Sequence, residues 1–402
     1  MKTLKEGNFK NKIVLVRCDF NVAIDNHGEI ADDFRIVKAL PTIKFLRENK
    51  AAVVLMSHLE KDGKPMSLAP VAKRLEKLLA QKIKFFGDWP GKKFDKEIKK
   101  LKFGEIALLE NLRFNAGEKK NSAEFAKQIA AMGDCYVNEA FSASHREHAS
   151  IAGVPRYLPS FAGLLFAQEI DNLQKILKNP KRPFTVIIGG AKADAKCRAL
   201  ANIEKIADHI LIGSKIGAML LAHKRQLAGC VPLSDDSIIR AIDLTSSKLH
   251  LPIDGVLALK DISEGYLRTA AIGAMRCEEN IYDIGPETAK FFAEIIKDSK
   301  TIFFAGPMGM FEKEKFSHGT YAMLEAISRA HGAYCVAGGG QTLEAIRRRN
   351  AQKYFNFLST GGSALLEYLA GNILPGVAAL NESENSAKKS SIIAPPKPKR
   401  NE

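Results

Sequence analysis

The chain has 402 residues, 46% of them hydrophobic, and a formal net charge of +15. That apolar content excludes a disordered chain, and the longest apolar runs are too short for a membrane span. The positive balance draws anions, whether nucleic acid, an anionic membrane surface or phosphorylated metabolites.

A nucleic-acid binder would show aromatics interleaved with a basic stripe, or a recognisable module, and neither is visible. Residues 1–7 contain no apolar h-region, so no secretory signal is expected. The cysteines (Cys18, Cys135, Cys197, Cys230, Cys277, Cys335) form no Cys-x-x-Cys pair. Their scatter fits a reducing cytoplasm and argues against zinc or iron–sulfur chemistry.

Strand-like runs rich in Val, Ile and Phe are predicted at 13–16, 52–56, 106–109, 135–137, 184–188, 210–212, 301–304, 334–336 and 355–358. Amphipathic stretches separate them. Residues 71–79 repeat their apolar side chains at helical spacing, and Ile203 with Ile206 shows the same step. Alternating strand and helix means parallel sheet with helices on both faces. So many strands would overfill one sheet, so two are expected.

Phe166, Ile170, Leu173 and Leu177 mark one face of a further helix, which Asn179-Pro180-Lys181-Arg182-Pro183 stops. The expected fold is therefore α/β: two Rossmann-like domains with parallel sheets, joined by a hinge helix. The expected boundaries are a first domain at 1–165, the helix at 166–180 and a second domain at 181–363. A segment at 364–381 follows, returning toward the first domain. The Ser-, Lys- and Pro-rich stretch 382–402 is expected to be a disordered basic tail.

The apolar runs end in polar or glycine-rich clusters, where open α/β sheets place their ligands. Asp19-Phe20-Asn21 sets a carboxylate and an amide on one face, suited to a hydroxyl-bearing ligand, and equally suited to a turn. Arg113 follows a strand end, where a guanidinium is shaped for bidentate phosphate or carboxylate binding. Asn138 to His148 carries two histidines and Arg146 with no helical or strand period. In the second half, Gly189-Gly190-Ala191-Lys192 ends a strand, and Lys196 shares a face with Lys192 on the next helical turn. A helix N-terminus already favours phosphate. Gly338-Gly339-Gly340-Gln341-Thr342 ends another strand and opens another helix. The chain has no Gly-x-x-x-x-Gly-Lys-Ser/Thr loop and no Gly-x-Gly-x-x-Gly at the first strand. It is neither a Walker-type ATPase nor an ordinary dehydrogenase.

Several long motifs occur in one order: Val16-Arg17-Cys18-Asp19-Phe20-Asn21-Val22, Met56-Ser57-His58-Leu59, Leu109-Glu110-Asn111-Leu112-Arg113-Phe114, Gly189-Gly190-Ala191-Lys192, Asp283-Ile284-Gly285-Pro286, Gly306-Pro307-Met308-Gly309 with Phe311-Glu312, and Ser359-Thr360-Gly361-Gly362. Together they resemble the phosphoglycerate kinase family up to about Leu380. The resemblance implies phosphoryl transfer between 1,3-bisphosphoglycerate and ADP, giving 3-phosphoglycerate and ATP, with Mg2+ and closure of the two lobes. It implies a cytoplasmic monomer with no membrane partner; nucleic acid is not expected as a ligand.

By the same resemblance, Asp19, Phe20, Asn21, Arg35, His58, Lys61, Arg113 and Arg146 would hold the glycerate substrate, with Arg35 on the transferring oxygens. Lys192 would meet the transferring group and Lys196 the nucleotide phosphates. Glu312 would take the ribose hydroxyls, and Gly339, Gly340, Gln341 and Thr342 would wrap the phosphates and metal. Gly361 and Gly362 would open a helix facing the transferring phosphoryl.

The departures concentrate in the nucleotide half. The family's His-Leu-Gly-Arg-Pro reads His58-Leu59-Glu60-Lys61-Asp62, which keeps charge at Lys61 but loses the bidentate fork. The family's metal-binding Asp is Gln341, a neutral ligand where hard cations prefer carboxylate. Its Trp-Asn-Gly-Pro is Phe304-Ala305-Gly306-Pro307, a glycine run becomes Gly213-Ser214-Lys215, and a last glycine becomes Ser363. A second reading is therefore an impaired paralogue that binds 3-phosphoglycerate-like anions without efficient transfer.

Overall fold

A run of Ala, Val, Val, Leu and Met leaves a strand no solvent face, and β2 (Ala52–Met56) is buried along its whole length. Strands of this kind belong in the middle of parallel sheets covered on both sides. The computed structural model describes residues 1–89, 96–190, 193–224, 242–259, 262 and 265–393. They fall into two units. One takes Met1–Glu169 together with the chain from Ile373, and the other takes Ile170–Asn372.

The first unit contains β1 (Ile13–Arg17), α1 (Phe34–Glu48), β2, the short hairpin β3 (Glu60–Lys61) and β4 (Lys64–Pro65), and α2 (Ala69–Leu79). Then come β5 (Ile83–Phe86), β6 (Ile106–Leu109), α3 (Ala116–Lys119), α4 (Ala123–Ala130), β7 (Cys135–Asn138), β8 (Ser160–Ala162) and the start of α5 (Leu164–Lys178). Six strands form a sheet in the order β5-β6-β2-β1-β7-β8, all parallel. On one face Val14, Val16, Val53 and Leu55 pack with Ile36, Ile43 and Leu46 of α1 and Val71 and Leu75 of α2. The helical period expected at 71–79 buries Val71, Ala72, Leu75 and Leu79, and the helix ends on Ala80 in a left-handed conformation.

The second unit continues with β9 (Phe184–Ile188), α6 (Ala193–Ile203), β10 (His209–Ile212), α7 (Ser214–His223), β11 (Leu249–His250), β12 (Asp254–Leu259), β13 (Arg268–Ala271) and β14 (Glu279–Ile284). It ends with α8 (Pro286–Asp298), β15 (Thr301–Ala305), α9 (His318–Arg329), β16 (Tyr334–Gly338), α10 (Gly340–Arg348), β17 (Phe357–Ser359) and α11 (Gly362–Leu369). Its parallel sheet has the order β11-β10-β9-β15-β16-β17. A separate antiparallel sheet, β13-β12-β14, was not expected from the sequence. The α/β class and the parallel sheets agree with the sequence reading.

The division between the units falls inside α5, whose buried face is Leu165, Phe166, Ile170, Leu173 and Ile176. Helix α11 stays with the second unit, where Asn202 Nδ2 donates to the Leu369 carbonyl at 2.8 Å. The return to the first unit is made by α12 (Pro375–Ile393). There Gly376 N–H donates to the Ser144 carbonyl at 2.9 Å, and the N-terminal ammonium pairs with Glu384 at 2.6 Å. Residues 382–393, grouped with the expected disordered tail, are therefore helical; 394–402 lie outside the described residues. Cys18, Cys135, Cys197 and Cys335 are buried and form no disulfide. Cys277 is disulfide-bonded, which the reading of scattered thiols did not foresee.

The first turn of α5 is fixed by a buried carboxyl group. Glu139 Oε1 accepts from Thr42 Oγ1 at 2.6 Å and Leu165 N–H at 3.1 Å, while Oε2 accepts from Phe166 N–H at 3.4 Å. A side chain at Gly163 would run into this carboxyl group. Gly163→Ala is therefore expected to cost about 1–3 kcal/mol, as overpacking does, visible as a lower melting temperature.

Candidate active site

In an open parallel sheet the loops after the strands share one edge, so neighbouring strands bring distant residues together there. In the first unit the loops after β6, β2, β1 and β7 carry Arg113, His58, Asp19 with Asn21, and Ser142 with Arg146. Arg35 joins them from the start of α1. Its Nη1 lies 2.9 Å from Asp19 Oδ2 and donates to the Asn21 carbonyl at 2.9 Å. Ser142 Oγ also donates to Asp19 Oδ2, and Asn21 N–H donates to Oδ1 at 3.0 Å. Burial pushes the Asp19 carboxyl up, but Arg35, His58 and these hydrogen bonds outweigh it and hold the group well below the usual carboxylate range.

His58 is buried. Its Nδ1 accepts from Arg17 Nη2 at 3.2 Å, and Arg146 Nη1 lies 3.4 Å from Nε2. Burial, then the Arg17 charge, push the imidazole well below its ordinary range, so the ring is neutral at pH 7. A guanidinium only donates, so each ring nitrogen faces a donor, while a neutral imidazole keeps its proton on one of the two. The Arg146 guanidinium stands beside the ring as a donor fitted to an anionic oxygen. His148 is likewise pushed down, to about 4, by burial and then by Arg17 and Arg146.

Arg17 is the residue that the sequence reading passed over. It is fully buried; its Nε donates to Ser150 Oγ at 2.8 Å and its Nη1 to the Cys18 carbonyl. Ser150 in turn donates to the buried Glu118 at 2.6 Å. A charge inside an otherwise apolar parallel strand is out of place unless paired, and that anomaly was readable at 13–17. Ser142 gave no such signal.

The other expected residues are placed differently. Phe20 is fully buried in the core; its N–H donates to Ser57 Oγ at 2.8 Å and its carbonyl accepts from Val22 N–H at 2.9 Å. Lys61 Nζ donates to the Asp25 carbonyl at 3.1 Å. Arg113 is paired with Glu60.

In the second unit, glycine-rich ends of β15 and β16 and the start of α11 line a cavity of about 230 Å³. Its wall includes Gly306, Gly339, Gly340, Gln341, Thr342 and Gly362, with charge brought by Lys196. Gly306 adopts φ +119°, and a side chain there would meet the Gly189 carbonyl and Lys196 Nζ. Lys196 Nζ donates to the Gly189 carbonyl. Glu312 is exposed, and its Oε1 accepts from Gln341 Nε2 at 3.0 Å. Gly361 N–H is already paired with Ser359 Oγ at 3.0 Å, while Gly362 adopts φ +52°. Lys192 lies outside the described residues.

Among the described residues no group of three or more His, Cys, Asp or Glu could hold a metal. The oxygens at the start of α10 are Gln341 Oε1 and Thr342 Oγ1, and the latter is buried with no hydrogen-bond partner. Neutral oxygens suit a hard cation held chiefly by phosphates and water.

A family profile described as phosphoglycerate kinase matches residues 4–372. The chain belongs to the phosphoglycerate kinase family. The phosphoglycerate kinase of Moorella thermoacetica is 40% identical over 393 residues, covering 94% of this chain and 99% of that one. That of Coprothermobacter proteolyticus is 39% identical over 392 residues, covering 94% and 98%. Among solved structures, phosphoglycerate kinase from Coxiella burnetii superposes with a TM-score of 0.81 at 35% identity, covering 94% of this chain and 98% of that one. The enzyme from Pyrococcus horikoshii gives 0.83 at 30% identity, covering 96% and 100%. Membership makes the chain a kinase of glycolysis, a transferase. Nothing favours the impaired-paralogue reading over it.

Proposed function

We propose that this chain moves a phosphoryl group between 1,3-bisphosphoglycerate and ADP, giving 3-phosphoglycerate and ATP, with the glycerate on the first unit and the nucleotide on the second. What supports the reading most is the meeting of Asp19, Arg35, His58 and Arg146 at the ends of adjacent parallel strands. Ionised Asp19 accepts from the substrate hydroxyl. Arg35, Arg146 and His58 bind its anionic oxygens, with Arg35 on the transferring group. A carboxylate is already ionised at neutral pH, so no residue has to take a proton from it. The work of the site is positioning and charge neutralisation, as phosphoryl transfer requires.

On the second unit, Lys196 and Lys192 neutralise phosphate charge, Gly339 and Gly340 let the backbone approach the phosphates, and Glu312 takes the ribose hydroxyls. When bound with the nucleotide, Mg2+ supplies further neutralisation of the phosphates, and Gln341 Oε1 and Thr342 Oγ1 are the oxygens of this chain that would hold it. In-line attack needs both ligands within reach of each other, hence closure, which also keeps water from the acyl phosphate. No helix among the described residues is long and apolar enough to cross a membrane; a glycolytic role supports a cytoplasmic location, and family membership supports a monomer.

A coupled assay of phosphoryl transfer from MgATP to 3-phosphoglycerate tests the reading. Folded protein without turnover would overturn it. Gln341→Asp adds a carboxylate beside the phosphates and is expected to raise kcat/KM for MgATP about threefold or more. No gain across a Mg2+ titration, with the fold intact, would mean that this position does not touch the metal.

A further inference from the structure

Arg113 does not present an open guanidinium. The Glu60 carboxylate sits on it through Oε2 and Nη1, and Lys119 Nζ approaches Glu60 Oε1 at 3.1 Å. Arg113 is nearly sealed, its side chain only 4% exposed, while that of Glu60 is 18% exposed. The backbone beneath Glu60 is fixed, because its N–H donates to Asn21 Oδ1 at 2.9 Å. Arg113 N–H is also held, by Asn111 Oδ1 at 3.0 Å. The pairing is nonetheless half made. Arg113 Nε is buried with no hydrogen-bond partner, and Glu60 Oε1 has none despite the nearby Lys119 charge. A bidentate carboxylate would accept from two N–H groups along one edge of the guanidinium; this one meets Nη1 and leaves the edge that carries Nε unused.

We propose that Glu60 is an internal stand-in for the substrate's phosphate, holding Arg113 and Lys119 until a dianion displaces it. The proposal rests on the placement of Arg113 in the 3-phosphoglycerate site. Glu60 has the freedom for the exchange: its side chain reaches partly into solvent, whereas Arg113 is enclosed. A phosphate brings a second charge and a third oxygen, so it can take the full guanidinium edge of the orphaned Nε with Nη2, and Lys119 as well. A small monoanion offers no more charge than Glu60 does and gains nothing by replacing it. Glu60 thus sets both the affinity of the site and its preference for dianions. It keeps a buried guanidinium from standing unpaired, which would be costly.

The test compares Glu60→Gln with Arg113→Ala, using calorimetric titration with 3-phosphoglycerate and with inorganic phosphate, and steady-state kinetics. Glu60→Gln keeps the shape and removes the charge. It is expected to lower KM and Kd for 3-phosphoglycerate about fivefold, the scale of one partly exposed ion pair, with KM for MgATP unchanged and kcat within about twofold. Inorganic phosphate should also bind more tightly to it. Arg113→Ala should lose 3-phosphoglycerate binding. If Arg113→Ala loses binding but Glu60→Gln, with an unchanged melting curve, binds no better than the native chain, the stand-in role is wrong and the assigned site survives. If Arg113→Ala binds 3-phosphoglycerate normally, the assignment of Arg113 itself is wrong.

Discussion

Lys196→Ala is expected to lower kcat by about 10²–10³-fold while leaving the melting temperature nearly unchanged. The size follows from what surrounds the ammonium. The cavity wall is mostly glycine backbone and apolar side chains, and Lys196 brings charge to it. A preorganised donor aimed at developing charge in such a place is typically worth that factor. Its anchor is local: Nζ donates to the Gly189 carbonyl at the end of β9, and the left-handed Gly306 allows the close approach. Removing the side chain of a part-buried lysine takes away its hydrogen bond to Gly189 but no core residue, so stability should fall little. The coupled assay with circular dichroism melts would check both halves; a loss under tenfold would place the charge-stabilising role elsewhere.

The second large effect concerns pH and stability. Glu139 is pushed up to about 8 from an ordinary 4.5, first by burial, against the hydrogen bonds from Thr42, Leu165 and Phe166. An acid whose folded pKa is raised holds its proton more tightly in the fold than in the unfolded chain. Its contribution is therefore fully favourable below 4.5, declines as pH rises toward about 8, and falls no further beyond. Every tenfold gain in proton affinity is worth about 1.4 kcal/mol, so the total is several kcal/mol. Glu139→Gln should match the native melting temperature near pH 4.5 and exceed it at pH 8.5. A shallower slope should remain, since Asp283, pushed up to about 7 by burial, acts in the same direction. Parallel melting-versus-pH curves for the two proteins would mean Glu139 is ionised in the fold at neutral pH.

The strands buried on both faces were legible because nothing but apolar packing decides them: β2 and β9 fall where the sequence placed them. Strands decided by context were not. In β5, Lys84 is exposed in the middle of an edge strand. β8 is three residues after a proline. β13 reads Arg-Thr-Ala-Ala with no apolar alternation, and buried Glu279 in β14 is tolerated because Arg268 Nε and Nη2 each donate to it at 2.7 Å, Arg276 N–H at 2.8 Å and Tyr266 at 3.0 Å. The site divides the same way. Asp19, His58, Arg113 and Arg146 stood out at strand ends, but their partners Arg35, Ser142, Arg17 and Glu60 come from other segments. Only the sheet order brings them together, and spacing along one chain cannot carry that.

The first unit is assembled from two stretches of chain that flank the second, since Met1–Glu169 is completed by the segment from Ile373 onward. During synthesis its sheet emerges early but lacks α12, whose start is tied to Ser144 and whose Ser383 Oγ donates to the Leu158 carbonyl at 3.2 Å. The second unit can therefore finish on the ribosome first, while the unit begun earlier waits for the segment that completes it. A release-timed proteolysis experiment on arrested nascent chains would show protection arriving in that order.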